Sequence, residues 1–417
     1  MRCHRNDQTT RPMSPSKKAI VIGGSIGGLF AANLLLRAGW EVQVYEQVTA
    51  ELESRGAGIV THPELLDVLR EAGVVVDASL GIQVEERIVL NVDGSRNGTL
   101  RYPQILTAWG RLFALLRAAF PDEFYHSGKV LSTFHQDANS VTVHFADGEI
   151  VCADLLIAAD GLRSMVRQTL VANAKPHYAG YIAWRGMVEE SALSQRALQE
   201  MFPYFSFGLP EHEQMIAYPV AGKNNTVEPG KRRYNFVWYR PADEATTLRD
   251  MVTDASGKIW PEGIPPPLIQ AHHLAEARAA ATQVLAPQFA EMIEKTEHLF
   301  FQPVFDLESQ QLAFGRIALL GDAAFVARPH VGMGVTKAAE DARSLVQALT
   351  ASDDLNTALD QYQTARLAIG KQIIARARGL GAYMQAQIST PHERAMAEKY
   401  RSAEVVMAET AVSLRGG

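Results

Sequence analysis

The sequence predicts an α/β protein: a parallel-sheet unit drawn from both ends of the chain, an inserted sheet between them, and C-terminal helices. Three observations predict it. The stretch KKAIVIGGSIGGLFAANLLLRAGWEVQVYEQ (17–47) reads as strand, glycine turn, helix and strand. Buried-type apolar runs return at 150–159 and 317–320, far apart in sequence. Between them, from about 176 to 297, the chain turns to aromatic strand patterns: GYIAWRG, YFSFG, EQMIAYPV and RYNFVWYR. Strands that build one layer from the two ends of a chain leave the middle as an insertion, and a ligand is expected where the units meet.

Taken in order, Ala19 to Ile22 is a short buried strand, and Gly27 to Ala38 is a helix apolar on most faces. Gly39 stops that helix, and Glu41 to Tyr45 alternates into a second strand closed by Glu46. This is a Rossmann-like βαβ opening, in which an acid at the end of the second strand sits at the spacing of a ribose ligand. Gly23 and Gly28 fit the dinucleotide pattern G-x-G-x-x-G, while Ser25 stands where its middle glycine allows close approach of a pyrophosphate. The pattern further predicts a helix over Leu106–Phe120 carrying Arg111, strands over Tyr125–Val130, Ser140–Phe145 and Ile150–Ala159, and a turn at Asp147-Gly148. PEGIPPP (261–267) links to an alanine-rich helical stretch. Beyond the strand Ile317–Leu320 come a glycine-containing loop, a helix over about 335–349, and helices from 355 onward.

Composition narrows the function classes. With 417 residues, 47% hydrophobic, 21% charged and a net charge of −6, the chain reads as a globular protein of two or three domains. No basic tract suggests nucleic acid, and no apolar run approaches a membrane span. Residues 1–16 are polar, without the apolar core of a secretory signal, and are expected to be a frayed tail. Cys3 and Cys152 cannot form a disulfide framework, which points to a reducing cytoplasm. No H-E-x-x-H and no cysteine pair at zinc spacing is present, so no metal is expected.

Two further stretches carry chemistry. DLLIAADGLRSMVR (154–167) is an apolar strand ending in Asp160-Gly161, and GRIALLGDAAFVARPHVGMGVTKAAEDA (315–342) is a strand ending in Gly321-Asp322. The second runs through a Pro329 loop to Gly332-Met333-Gly334 at a helix start. With the first glycine turn, these motifs resemble, in order and spacing, the single-component FAD-dependent aromatic hydroxylases. The resemblance covers about half the chain. GGSIGGLFAA, GAGIVTHPEL, GYIAWRG and GDAAFVARPHVGMG are most similar to the 2,6-dihydroxypyridine hydroxylase type, whose members also carry serine in the turn.

The resemblance implies an FAD-binding unit of 17–80, 101–175 and 298–350, a substrate unit of 81–100 and 176–297, and a C-terminal helical segment of 351–417. Gly23, Ser25 and Gly28 would bracket the pyrophosphate, and Glu46 would meet the adenosine ribose. Arg55 and Arg111 match basic residues along the cofactor, and Val130 falls where such proteins pass a strand under the adenine. Asp160 belongs to a segment serving FAD and the nicotinamide donor. Asp322 would hold the ribityl chain, and Pro329, Gly332 and Gly334 would line the isoalloxazine. Phe325 departs from the histidine many members carry after G-D-A-A.

The activity implied is hydroxylation of a small aromatic substrate with NADH or NADPH and O2, through a flavin C4a-hydroperoxide. No second nucleotide turn is present for the nicotinamide, as in that family, and a homodimer is a candidate assembly. A phenol of pKa ~10 is mostly neutral at pH 7, so a base or relay is expected at the ring. His330 in the flavin loop and Tyr218 on a substrate-unit strand are the candidates, with Tyr181, Tyr204 and Arg185 beside them; Lys337 is expected to be structural. A required substrate carboxylate is not expected, because Arg185 is the only arginine within these aromatic segments apart from the ends of RYNFVWYR. The alternatives are another flavin-fold reaction, halogenase or prenyl reductase, and a non-catalytic flavin-fold binding protein. The halogenase segment W-x-W-x-I-P is missing, and a non-catalytic protein has no need of a ribityl aspartate.

Overall fold

A computed structural model describes residues 17–49, 58–171 and 173–414. Its first sheet has six strands in the order Ala313–Phe314, Ile317–Leu319, Leu155–Ala158, Lys18–Ile22, Glu41–Glu46 and Tyr125–Ser127. All pairings are parallel except that of the two-residue edge strand. Ile20 pairs in register with Leu156 on one side and Gln43 on the other. Ile20, Val21, Leu155, Leu156 and Ile157 are almost wholly buried, as expected of parallel strands covered on both faces. Each such aliphatic side chain contributes roughly 1.5–3 kcal/mol.

The helix Ile26–Arg37 buries residues around most of its circumference, which explains its lack of a polar face. It packs on the helix Gly334–Ala351, so the two segments that carry the glycine motifs are neighbours in space. The second sheet has nine strands, in the order Phe325–Val326, Phe300–Glu308, His177–Glu189, Arg233–Pro241, Gln214–Val220, Phe205–Gly208, Ile82–Leu90, Arg96–Ala108 and Gly58–Val60. Its aromatic residues are cores rather than surface: Trp184, Trp238, Tyr234 and Phe236 are buried beneath the helices Ala271–Val284 and Pro287–Glu294. A small antiparallel sheet, Leu131–Gln136, Val141–Phe145 and Ile150–Ala153, completes the set.

Three elements differ from the sequence expectation: the strand expected over Tyr125–Val130 ends at Ser127, and two others depart in kind. The run 150–159 is two strands, because the chain changes sheets at Asp154, whose carboxylate accepts the Lys18 N–H at 2.8 Å. The helix expected from Leu106 begins only at Trp109; Leu106 to Ala108 instead pair with Gly58 to Val60 as the end of a 13-residue strand. Among the described residues no helix is long and apolar enough to cross a membrane.

Candidate active site

The first glycine turn is shaped by close approach. Gly23 has φ +100°, and a Cβ there would lie 2.3 Å from the Ala159 carbonyl oxygen; one on Gly28 would lie 1.9 Å from the Gly23 carbonyl oxygen. Any side chain at either place would push apart the turn and the neighbouring strand end. Glu46 fixes the turn from below: its two carboxylate oxygens accept the Gly24 and Val48 N–H groups at 2.8 and 2.9 Å. Tyr125 donates its hydroxyl to the Gly24 carbonyl at 3.0 Å. Ser25, at the helix N-cap, makes no capping bond with its side chain and lines a cleft together with Ile26 and Gly27. The unpaired N–H groups of that helix start therefore open into the cleft.

Asp160 sits at the next strand end. One oxygen accepts the Val166 N–H at 3.3 Å, the other is buried without a partner, and burial raises the carboxyl's pKa. Asp322 lies on the cleft wall, open to the cleft and otherwise surrounded by protein. Desolvation raises its pKa, with Lys337 acting in the opposite sense and Asp341 reinforcing it. The turn that presents it is clamped from behind. Lys337 Nζ donates to the Gly321 carbonyl at 2.7 Å, Asp341 accepts the Gly321 N–H at 3.1 Å, and Arg366 holds Asp341 at 2.6 Å. Lys337 is thus structural.

The loop Pro329–Gly334 closes the cleft's far side. Gly332 is left-handed at φ +67°, and a Cβ there would lie 2.6 Å from the Ala411 Cβ. Gly334 opens the long helix and lines the cleft with Val335, and a Cβ on it would meet nothing within 4 Å. Two helix N-termini with their partial positive charge, and two glycine turns, thus meet in one cleft of about 410 Å³. An extended dinucleotide fits this arrangement: it needs N–H groups at its phosphates, acceptors at its sugar hydroxyls and glycine where the backbone comes close.

The other side of the cleft is the face of the nine-stranded sheet, formed by Arg185, Phe205, Ile216, Tyr218, Val237 and Tyr239. Tyr218 stacks on Phe205 with centroids 5.0 Å apart, and burial raises its hydroxyl well above the ordinary value. His330 also lines the cleft but is buried, its Nε2 2.8 Å from the Tyr181 hydroxyl and its Nδ1 unpartnered. Burial, helped by Arg328, lowers its pKa to about 3. Expected as the base at the ring, it is therefore a neutral imidazole of very low basicity. A second cavity of about 470 Å³ adjoins the first and shares Arg185, Asp322, Val326, Ala327 and Pro329 with it.

Not every expected residue reaches the cleft. Arg111 donates to the Ser79 carbonyl and hydroxyl, at 3.2 and 2.6 Å, and does not line it. Val130 is 46% exposed, and its carbonyl accepts the Ala146 N–H. Arg55 lies outside the described residues. Tyr204 shields Arg96 and not the cleft. Phe325 is buried against Gly370, which has no room for a side chain. Conversely, Trp109, Tyr239 and Ala411 line the cleft unannounced. Away from it, Asp250, His272 and His273 bring potential ligand atoms within 4.8 Å of one another, a cluster no sequence motif signals.

A family model described as FAD binding domain-like matches residues 178–306. The 2,6-dihydroxypyridine 3-monooxygenase of Paenarthrobacter nicotinovorans is 32% identical over 374 residues, 89% of this chain and 93% of that protein. The FAD-dependent urate hydroxylase of Klebsiella pneumoniae is 29% identical over 380 residues, 87% and 88% of the two chains. Among solved structures, 2,6-dihydroxypyridine-3-hydroxylase from Arthrobacter nicotinovorans matches with a TM-score of 0.83 at 31% identity, covering 92% of this chain and 96% of that one. Similarity that runs nearly the full length of both chains, on a fold whose glycine turns and helix N-termini open into one cleft, leads to a single conclusion: the chain belongs to the FAD-dependent aromatic-ring monooxygenases.

Proposed function

We propose that the protein hydroxylates a phenol-like or hydroxypyridine-like aromatic ring, using NADH or NADPH and O2. The carrying observation is the continuity of the cleft, with N–H-rich glycine turns at one end and an aromatic wall bearing Arg185 at the other. Gly23, Ser25 and Gly28 hold the pyrophosphate of FAD, Glu46 meets the adenosine ribose, and Asp322 accepts from the ribityl hydroxyls. Pro329, Gly332 and Gly334 would line the flavin ring, and the helix N-terminus beside them would favour negative charge on it. Asp160 serves the segment shared with the nicotinamide.

FAD, when bound and reduced by the nicotinamide, supplies the activated oxygen; the chain supplies binding, orientation and electrostatics. The substrate unit, 81–100 and 176–297, presents the sheet face on which the ring rests. Tyr218 and Phe205 form an apolar platform that excludes water. His330, neutral and tied to Tyr181, stands at the cleft with its Nδ1 buried and unpartnered. The relatives named above act on nitrogen heteroaromatic rings, which supports a hydroxylated heteroaromatic substrate without a required carboxylate. The scarcity of cysteine fits work in the cytoplasm.

Purified protein should be yellow and carry one FAD per chain. Asp322→Ala should weaken FAD binding by about 1–3 kcal/mol through loss of hydrogen bonds to the ribityl chain. Oxygen uptake and NADH or NADPH oxidation over a panel of hydroxypyridines and hydroxybenzoates identify the substrate. A colourless protein that takes up no added FAD would sink the proposal.

A further inference from the structure

Arg185 differs from the arginines buried outright, and from Arg233, whose Nε is also buried without a partner, in lining both cavities. Arg87 and Arg167 give their guanidinium N–H groups to backbone carbonyls, and Arg328 and Arg366 pair with Asp306 and Asp341. Arg185 makes no hydrogen bond or ion pair with any described residue, and its Nε is buried without a partner. It stands mid-strand, beside Val237 and Phe300, on the wall common to both cavities. A cation held there without a counter-charge costs free energy unless a ligand supplies the anion.

From this placement we infer that Arg185 is the counter-ion of a ring oxyanion, so that the substrate is an aromatic ring with an acidic hydroxyl, bound as its anion. The inference rests on the monooxygenase reading and adds the substrate's charge state to it. On binding, the ring O–H bond breaks, the proton passes to solvent water, and the oxyanion pairs with the guanidinium; no electron changes hands.

The groups around Arg185 explain why the proton goes to water. From the neighbouring strands Tyr218 and Tyr239 face it, and burial raises both phenols even though the Arg185 charge pulls them down. From the flavin loop come His330, of very low basicity, and Arg328, already paired with Asp306. Asp322 stands on the shared wall, at the position proposed for the ribityl chain. Across the second cavity Arg163 and Glu262 are joined at 2.7 Å. None is a base matched to a phenol at neutral pH.

The magnitude selects the substrate class. An adjacent opposite charge lowers a pKa by about 1–3 units. A simple phenol starting near ~10 would stay largely neutral at pH 7 after most of that range. A ring hydroxyl made more acidic by further electron-withdrawing groups on the ring would be largely ionised.

The test uses the FAD-loaded full chain and two probes: 2-hydroxy-5-nitropyridine, which has a ring hydroxyl and no carboxylate, and 4-nitrobenzoate, which has the reverse. Difference spectra against pH read the ionisation of the bound hydroxynitropyridine. It should ionise at least about one unit lower when bound than when free. Arg185→Met should abolish the shift and weaken binding of that probe at least about tenfold, while Arg185→Lys keeps part of both. FAD content and melting temperature show that the variants are folded; if the methionine variant is not, the wild-type shift and the lysine variant still decide. No saturable binding of the hydroxynitropyridine, an unshifted pKa in the wild type, or an equal shift in the methionine variant overturns the inference. Tight binding of 4-nitrobenzoate with an unshifted hydroxyl probe also overturns it, and makes Arg185 a carboxylate anchor. A protein unable to bind FAD would be visible before any probe is added, and would remove the monooxygenase reading itself.

Discussion

At the scale of single residues, this protein keeps much of its interior polarity in groups held in one charge state. His330 and His62 are both buried, His62 against the Thr336 hydroxyl at 2.8 Å. Burial is the leading cause that takes His330 from 6.5 to about 3 and His62 from 6.5 to about 4. Because both folded values lie below the unfolded one, the unfolded chain binds protons that the folded chain refuses. The stability they contribute is intact above pH 6.5 and is lost as pH falls toward the folded values. Two such sites steepen the loss by about 2.7 kcal/mol per pH unit in that window. Urea unfolding between pH 6.5 and ~5, above the range where most carboxylates titrate, should show this slope. His62→Asn and His330→Asn should each remove about half of it, and an unchanged slope in both variants would mean that these imidazoles are not held neutral.

At the scale of elements, the parallel strands and their glycine turns were legible in the sequence, because buried parallel strands are short apolar runs and their turns need glycine. The strand at 150–159 was legible as apolar but not as two strands: the break at Asp154 depends on pairing with Lys18, far away in sequence. Leu106 to Ala108 read as helix because the apolar spacing continues into Trp109–Ala118, and only the partner strand Gly58–Val60 decides otherwise. The site divides in the same way. Gly23 and Gly332 announce themselves through backbone geometry and Asp160 and Asp322 through the motifs that carry the resemblance, whereas Tyr239, Trp109 and Ala411 reach the cleft only through long-range packing. Ser25 tests how far local geometry suffices. Its φ of −78° is ordinary for any residue and its side chain caps nothing, so the turn has no need of glycine's conformational freedom there. Ser25→Gly should leave FAD affinity within a few-fold. Ser25→Leu should abolish it by filling the space a pyrophosphate needs. Equal affinities, measured by flavin fluorescence, would show that the turn does not hold phosphate.

At the scale of the whole molecule, the flavin loop is finished by the far end of the chain. Ala411 donates its N–H to the His330 carbonyl at 3.2 Å and packs on Gly332, where no side chain would fit. What holds Ala411 there is Arg87, fully buried in the strand Ile82–Leu90. Its guanidinium donates to the carbonyls of Met407, Thr410 and Ala411 and to the Gln104 side chain, while Gln104 also reaches the Ala411 carbonyl at 3.2 Å. Ser413 bonds the buried Glu64, fixing the tail beyond. One planar, five-donor group thus joins the nine-stranded sheet to the tail, and the tail to the loop proposed to hold the flavin. Arg87→Met keeps much of the volume but leaves the three C-terminal carbonyls without that donor. The expected cost is about 2–5 kcal/mol of stability. Loss of the tail should also free the loop, so FAD should dissociate faster from the variant than from the wild type under conditions where both remain folded. Arg87→Lys, a point charge that cannot reach all three carbonyls, should fall between them. Urea titration with and without added FAD, together with limited proteolysis of the C-terminal segment, measures both effects. If Arg87→Met unfolds at the wild-type denaturant concentration and keeps its FAD as long, the tail is a passive cover and the loop stands without it.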